Sequence, residues 1–466
     1  NAQVVTMQEE YDVVVLGTGL TECILSGLLS VDGKKVLHMD RNSYYGGACA
    51  SLNLEDMWKH FNQEGAPPAA LGRPRDWNID LVPKFIMSQG KMVQILLHCD
   101  VARYLEFKSV DGSYVYVDKK VHKVPATEKE ALSSGLMGFL EKYRFKDLLV
   151  FAVGYDAKDP KTFQGKDLNV LTARQLMTSH KLDKSTMDFV GHAMALYRDD
   201  EYLDKPALEF VLRVRLYAES LNTVVHIYKG KSSYLYPMYG LGDLPQAFAR
   251  LASIYGGTYM LNKPFFGIES DASGRVIGVK SDEEELDDKG KIIGTKPVTV
   301  KCKAVIGDPG YFGDKVQKVG RMVRAICILD HPIPNTDKAE SCQIIIPQAQ
   351  ANRRSDIYIS CVSFAHNVAS AGKYIGIVST TVETEKPEDE LKPGLALLGT
   401  IIKSFVSISD LFEPVNESAK EGVFISKSYD ATSHFETVIE DVMRIYKDLT
   451  GKDVDLTPKP RAPEDQ

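Results

Sequence analysis

The chain has 466 residues, 44% hydrophobic and 26% charged, the profile of a globular protein of two or three domains rather than a disordered or fibrous one. Fifty-six lysines and arginines against sixty-three aspartates and glutamates leave a net charge of −7, so no global positive field exists to attract nucleic acid or anionic lipid. No apolar run reaches the 18 residues of a membrane span, and the longest weakly charged stretch, 357–372, is interrupted by Ser, His and Asn.

Residues 1–6, before Met7, read as a remnant outside the fold and lack the basic and apolar segments of a secretory signal. Residues 11–16 form a short apolar run, followed by Gly17-Thr18-Gly19, a helical pattern through Cys23, Leu25, Leu28 and Leu29, and a second strand at 35–40. Lack of polar alternation fits a parallel strand covered on both faces, so the chain opens on a βαβ unit. From 125 to 228 strands are hard to place. Helical spacing recurs at Leu136, Phe139, Leu140 and Tyr143, and at Met187, Val190, Gly191, Met194 and Ala195; a third helix opens at Pro206. Strand-like runs return at 276–280, 298–306, 326–329, 357–364 and 374–381. The acidic stretch 282–290 between two of them reads as a solvated hairpin tip. Ser433 and Glu436 have capping-box spacing before a helix through about 449, and the tail after Lys452 is expected to fray. Seven widely spaced cysteines without a CxxC pair or a Cys/His cluster favour a reducing compartment and no metal.

A dinucleotide turn needs glycines at GxGxxG spacing, two for backbone approach to the pyrophosphate and a third for close helix packing. Here the third position is Glu22, whose carboxylate suits a helix N-terminus but would occupy or repel a pyrophosphate. Asp40, 23 residues after Gly17, has the spacing of a ribose-binding acid, and Gly46-Gly47 resembles the second glycine pair of flavoproteins. Two readings follow: a flavin or nicotinamide enzyme with an unusual third position, or a relict scaffold put to another use, the second modestly ahead. No GxSxG, HExxH or GxxxxGK motif is present, nor any histidine or carboxylate cluster demanding acid-base work, so catalysis has no visible carrier. His192 and His434 read as structural. Two further segments are dense in turn and interface residues. Residues 234–246 run from a strand through Gly240 and Gly242 into a helix on which Asp243 and Arg250, seven positions apart, share a face. Arg73-Pro74-Arg75-Asp76-Trp77-Asn78 has an interface composition, or is a buried Trp with surface Arg.

The stretches 11–23, 40–47, 75–78, 234–250, 255–261 and 428–436 together resemble the Rab GDP dissociation inhibitors and their relatives the Rab escort proteins, in the family's order over nearly the whole chain. The resemblance implies a flavin-monooxygenase-like α/β fold without flavin or other cofactor: an α/β domain in two pieces, 7–124 and 230–450, a helical domain inserted at 125–229, and a tail at 451–466. It implies a cytoplasmic carrier, not an enzyme, that binds GDP-bound geranylgeranylated Rab GTPases, slows GDP release and extracts them from membranes as a 1:1 complex, with transient membrane contact. Carried over, the Rab-binding platform is Tyr45, Arg73, Arg75, Asp243, Arg250, Thr258 and Met260; Asp243 stands where the family usually has Glu, and Pro74 where it has Gly. The prenyl cavity is expected at Met137, Phe139, Leu140, Phe189, Met194, Leu212 and Leu216, and a groove for the Rab C-terminal tail at Met92, Ile95 and Leu96. Residues 222–229 form a longer loop than the family's, whose apolar residues either touch membrane or, as favoured, pack on the helical domain. An escort protein presenting Rab to a prenyltransferase, and a flavin-dependent oxidoreductase, are the alternatives.

Overall fold

The computed structural model describes residues 10–126, 130, 135–228, 230–286 and 292–457. Glu10–Leu16 is an inner strand of the first sheet, parallel on one side to Val36–Met39 and on the other to Ile292–Gly307. Thr258–Met260 extends the parallel part, while Val276–Leu286 and Gly267–Ser270 add antiparallel strands, and Val423–Ile425 pairs with the end of Ile292–Gly307. The helix Leu20–Val31 is buried along its whole length between the sheet and the helices Asp243–Ile254 and Glu436–Thr450. Gly27 permits that packing: a Cβ there would lie 2.7 Å from the Phe248 ring.

The second sheet is largely antiparallel, in the order Lys403–Pro414, Val316–Leu329, Tyr374–Thr381, Ile357–Ser363, Cys342–Ile346, Gly112–Val117 and Lys120–Lys123. Beyond it, every described element between Lys123 and Tyr234 is helical, with Phe139–Gly154 packed on Ala207–Thr223. A π-helical turn, Phe189–Met194, joins this helical layer to the sheet. Within it His192 is buried, its Nδ1 2.8 Å from Asp356 Oδ2 and its Nε2 3.1 Å from Asp200 Oδ1. All seven cysteines are buried free thiols. Among the described residues no helix is long and apolar enough to cross a membrane.

Several expectations are corrected. The capping box does not form: the last long helix begins at Glu436 with Phe435 at its cap, and the Ser433 hydroxyl donates instead to Gln343 Oε1 at 3.1 Å. The tail does not fray at Lys452. Thr457 O lies 2.6 Å from His98 Nδ1, and Val454 and Leu456 pack on the core. The loop expected at 222–229 is helical instead: Asn222 and Thr223 end the helix Ala207–Thr223, and Val224–Tyr228 continue it as a π-helical turn in which Val224 is buried while Ile227 and Tyr228 are 70% and 47% exposed; Lys229 lies outside the described residues. The acidic run enters a long hairpin on which Glu284 and Glu285 are exposed, and 287–290 lie outside the described residues.

Candidate functional site

The glycine turn sits where the first strand meets its helix. Gly17 has φ +91°, and the Glu22 side chain folds back over the turn so closely that a Cβ on Gly19 would collide with its Oε2. Ser426 Oγ donates to Glu22 Oε1 at 2.6 Å. Burial, reinforced by the Asp308 carboxylate, pushes the Glu22 carboxyl up to about 8. Asp40 is also engaged: its Oδ2 accepts from the Thr18 amide and hydroxyl, both at 2.6 Å, and its Oδ1 from the Asn42 amide at 2.7 Å. A cavity of about 540 Å³ opens here between the two sheets, lined by the carboxyl groups of Glu22, Asp40 and Asp308 and by Arg41, Arg324 and Lys427. The Glu22 side chain fills the space over the glycine turn that a pyrophosphate would need, so the turn does not fit a dinucleotide.

A second constellation lies around the N-terminus of Asp243–Ile254. The buried Asp80 carboxylate organises it, accepting from the hydroxyls of Ser51 and Tyr236 and, at 3.0 Å, from the Leu241 amide. Ser51 Oγ accepts in turn from the Gly242 amide at 2.8 Å. Burial lifts Asp80 to about 6 despite these donors. The turn that launches the helix is therefore tied to the segment before Leu81. Along the helix Asp243 is half-buried, which raises its carboxyl, and Arg250 is exposed. The Arg250 guanidinium lies 4.6 Å from the Tyr104 ring centroid, with Arg103 4.8 Å from the same ring.

The other nominated platform residues divide. Arg73 and Arg75 are exposed on a short helical turn above Trp77, which is fully buried and donates Nε1–H to Leu71 O at 3.0 Å. Arg73 is spent on Asp76, with two bonds of 3.0 Å. Arg75 and Arg250 make no ion pair among the described residues. Tyr45 is half-buried with its ring 6.3 Å from Tyr259, and Thr258 is partly exposed on the edge strand beside Val36–Met39. Met260 is only 8% exposed and belongs to the core with Leu16 and Met39, so its side chain offers little to a partner.

The nominated cavity residues do not converge. Phe189 and Met194 are buried, and Met137 and Leu216 pack partly against the core, but Phe139, Leu140 and Leu212 are 82%, 68% and 46% exposed. The cause is rotational: Leu148, Phe151 and Ala152 form the buried face of Phe139–Gly154, and Phe139, nine positions before Leu148, falls half a turn away. Met92, Ile95 and Leu96 are likewise buried, because their i, i+3, i+4 stripe is the face that docks Lys91–His98 on the core. The exposed apolar side chain of that helix is Leu97, at 53%. Sequence reasoning missed Asp80 and Tyr104; Asp80 looks like any strand-end acid, and only the fold brings Tyr104 under Arg250.

Comparison with known proteins places these features in context. Residues 7–461 match the model of the GDI family, described as GDP dissociation inhibitor. The chain is 54% identical over 460 residues to Rab GDP dissociation inhibitor beta of Rattus norvegicus, covering 98% of this chain and 99% of the relative. It is 53% identical to a guanosine nucleotide diphosphate dissociation inhibitor of Arabidopsis thaliana, covering 97% of each. Among solved structures, the Rab GDI of Plasmodium falciparum superimposes with a TM-score of 0.88 at 44% identity, over 96% of this chain and 99% of that one. An oxidoreductase from Methanosarcina mazei, at 14% identity and a TM-score of 0.55 over 94% of this chain and all of that one, shares the fold alone.

Proposed function

Because the chain belongs to the GDP dissociation inhibitor family, we propose that it binds prenylated Rab GTPases in their GDP state, slows their loss of GDP, extracts them from membranes and carries them through the cytosol. It is a binding protein, not a catalyst. Full-length similarity to the named relatives carries this reading. The α/β portions, 7–124 and 230–450, would hold the GTPase and the helical portion, 125–229, the lipid.

The physics sets two requirements. Burying lipid is worth about 0.8 kcal/mol per methylene, so a soluble extractor must offer apolar surface of its own together with a protein contact that adds affinity. Exposed Phe139, Leu140 and Leu212, with Phe189 and Met194 beneath the helical layer, supply the apolar surface in this reading, and Ile227 and Tyr228 would touch the membrane transiently. The protein contact falls to Tyr45, Asp243, Thr258 and to Arg75 and Arg250, which make no ion pair among the described residues and suit an acidic partner surface. Selection for GDP follows if the platform fits switch loops that a γ-phosphate would otherwise hold in another shape.

The test is extraction. Purified chain mixed with membranes bearing prenylated Rab should move the GDP-loaded form, and not the GTP-loaded form, into the supernatant, and Arg250→Glu should lose this by tenfold or more without a change in melting temperature. Extraction indifferent to the bound nucleotide would sink the proposal.

A further inference from the structure

We infer that Tyr239 is the central aromatic anchor of the GTPase-docking surface, an inference that rests on the Rab-binding reading above. Tyr239 is 52% exposed, and no hydrogen bond of its hydroxyl is found among the described residues. Scattered exposed aromatics are ordinary. This one is set apart by its backbone: φ is +68°, the left-handed region that disfavours a bulky side chain, immediately before Gly240 at φ +90°.

The strain is held from several sides. The Tyr239 amide donates to His366 O at 2.8 Å, the Met238 amide to Glu106 O at 2.8 Å, and the Leu241 amide to buried Asp80. These bonds tie its turn to two segments that neighbour the arginine-bearing ones. On one side Glu106 follows Tyr104, the ring beneath Arg250. On the other, Asn78, three residues beyond Arg75, donates from its amide to Val368 O at 3.0 Å, and its Nδ2 to Asn367 O at 3.4 Å, in the segment that also supplies His366 O.

Strained conformations persist where surroundings over-determine them, and they cluster at binding sites. A pinned tyrosine presents a large, amphipathic surface that loses little freedom on binding, and tyrosine together with arginine is the composition of interface hot spots. The partner feature it fits is an apolar pocket rimmed by carboxylates on the GDP-form GTPase.

Glycine at 239 removes the ring and relieves the backbone, so it separates contact from strain. Full-length Tyr239→Gly, Tyr239→Phe and Arg250→Glu would be titrated against fluorescent, prenylated, GDP-loaded Rab, with melting temperatures measured alongside. Tyr239→Gly should melt at or above the parent temperature yet bind at least tenfold more weakly, while Tyr239→Phe, which keeps the ring, stays within about threefold. Parent-like binding by Tyr239→Gly beside a loss in Arg250→Glu overturns the anchor and leaves the docking reading intact. A fall in melting temperature that accounts for the lost binding makes Tyr239 structural and also overturns it. Parent-like binding by both variants overturns the docking reading, and the anchor with it.

Discussion

Burial keeps the Glu22 carboxyl protonated up to about pH 8, against 4.5 for an ordinary glutamate. Between those values the native chain holds a proton that the unfolded chain has released, so this residue makes stability fall as pH rises through the window. Glu22→Gln keeps the shape and removes the charge. It should exceed the parent in stability at pH 8 by up to about 4 kcal/mol and match it near pH 4, as read from denaturant midpoints at the two pH values. Equal midpoints at pH 8 would mean that the native carboxyl is already ionised at little cost. The conflict between Glu22 and a pyrophosphate was legible in the spacing of three motif positions. Its resolution was not, because the hydroxyl that satisfies the carboxyl belongs to Ser426, 404 positions along the chain, and the charge that raises it belongs to Asp308. Asp80 and Tyr104 escaped for the same reason: each acquires its role from residues distant in sequence.

At the scale of elements, a buried ionic link joins the helical layer to the second sheet. Asp356 and Asp200 hold His192 charged, raising it from 6.5 to about 10 in spite of burial. The imidazolium therefore persists up to about pH 10, while the stability it contributes is full below pH 6.5 and declines as pH rises from there to about 10. His192→Asn leaves the Asp356 carboxylate buried without its cation and should destabilise the chain by about 3–5 kcal/mol, measured by urea unfolding at pH 7. A loss below 1 kcal/mol would show that Asp356 finds another partner or a proton. Periodicity revealed that these helices exist and roughly where they begin; Pro206 stands at the cap of Ala207–Thr223 as its chemistry suggests. Periodicity did not reveal which way they face. Phe139–Gly154 is apolar on more than one side, so Phe139 and Tyr143 fit an inward stripe as well as Leu148 and Phe151 do, and only tertiary packing decides between them. The same ambiguity inverted the reading of Met92, Ile95 and Leu96.

Over the whole molecule, a net charge of −7 would repel an acidic partner at long range, while Arg75 and Arg250, on the docking surface proposed above, would attract it at contact. Salt screens both, with a Debye length of about 10 Å at 0.1 M, but contact attraction is the larger when oppositely charged groups meet. Association with prenylated GDP-loaded Rab should therefore slow as salt rises from about 50 to 500 mM, and Arg75→Ala combined with Arg250→Ala should flatten or reverse the trend. Stopped-flow association rates decide it; an identical salt slope in the double variant would show that other groups steer the encounter. The interruption of an α/β scaffold by helices could be read from the order of apolar patterns. The pairing of strands could not, since nothing local tells Glu10–Leu16 that one of its neighbours is Ile292–Gly307.

That pairing also has a consequence in time. Glu10 lies opposite Lys301, so during synthesis the opening strand emerges long before one of its two neighbours exists. At about 5–20 residues per second the ribosome needs about 15–60 s to supply it. Throughout that interval the nascent βαβ unit exposes an unpaired, apolar strand edge, the kind of template on which chains aggregate. The nascent chain thus needs that edge shielded until Ile292–Gly307 has been made.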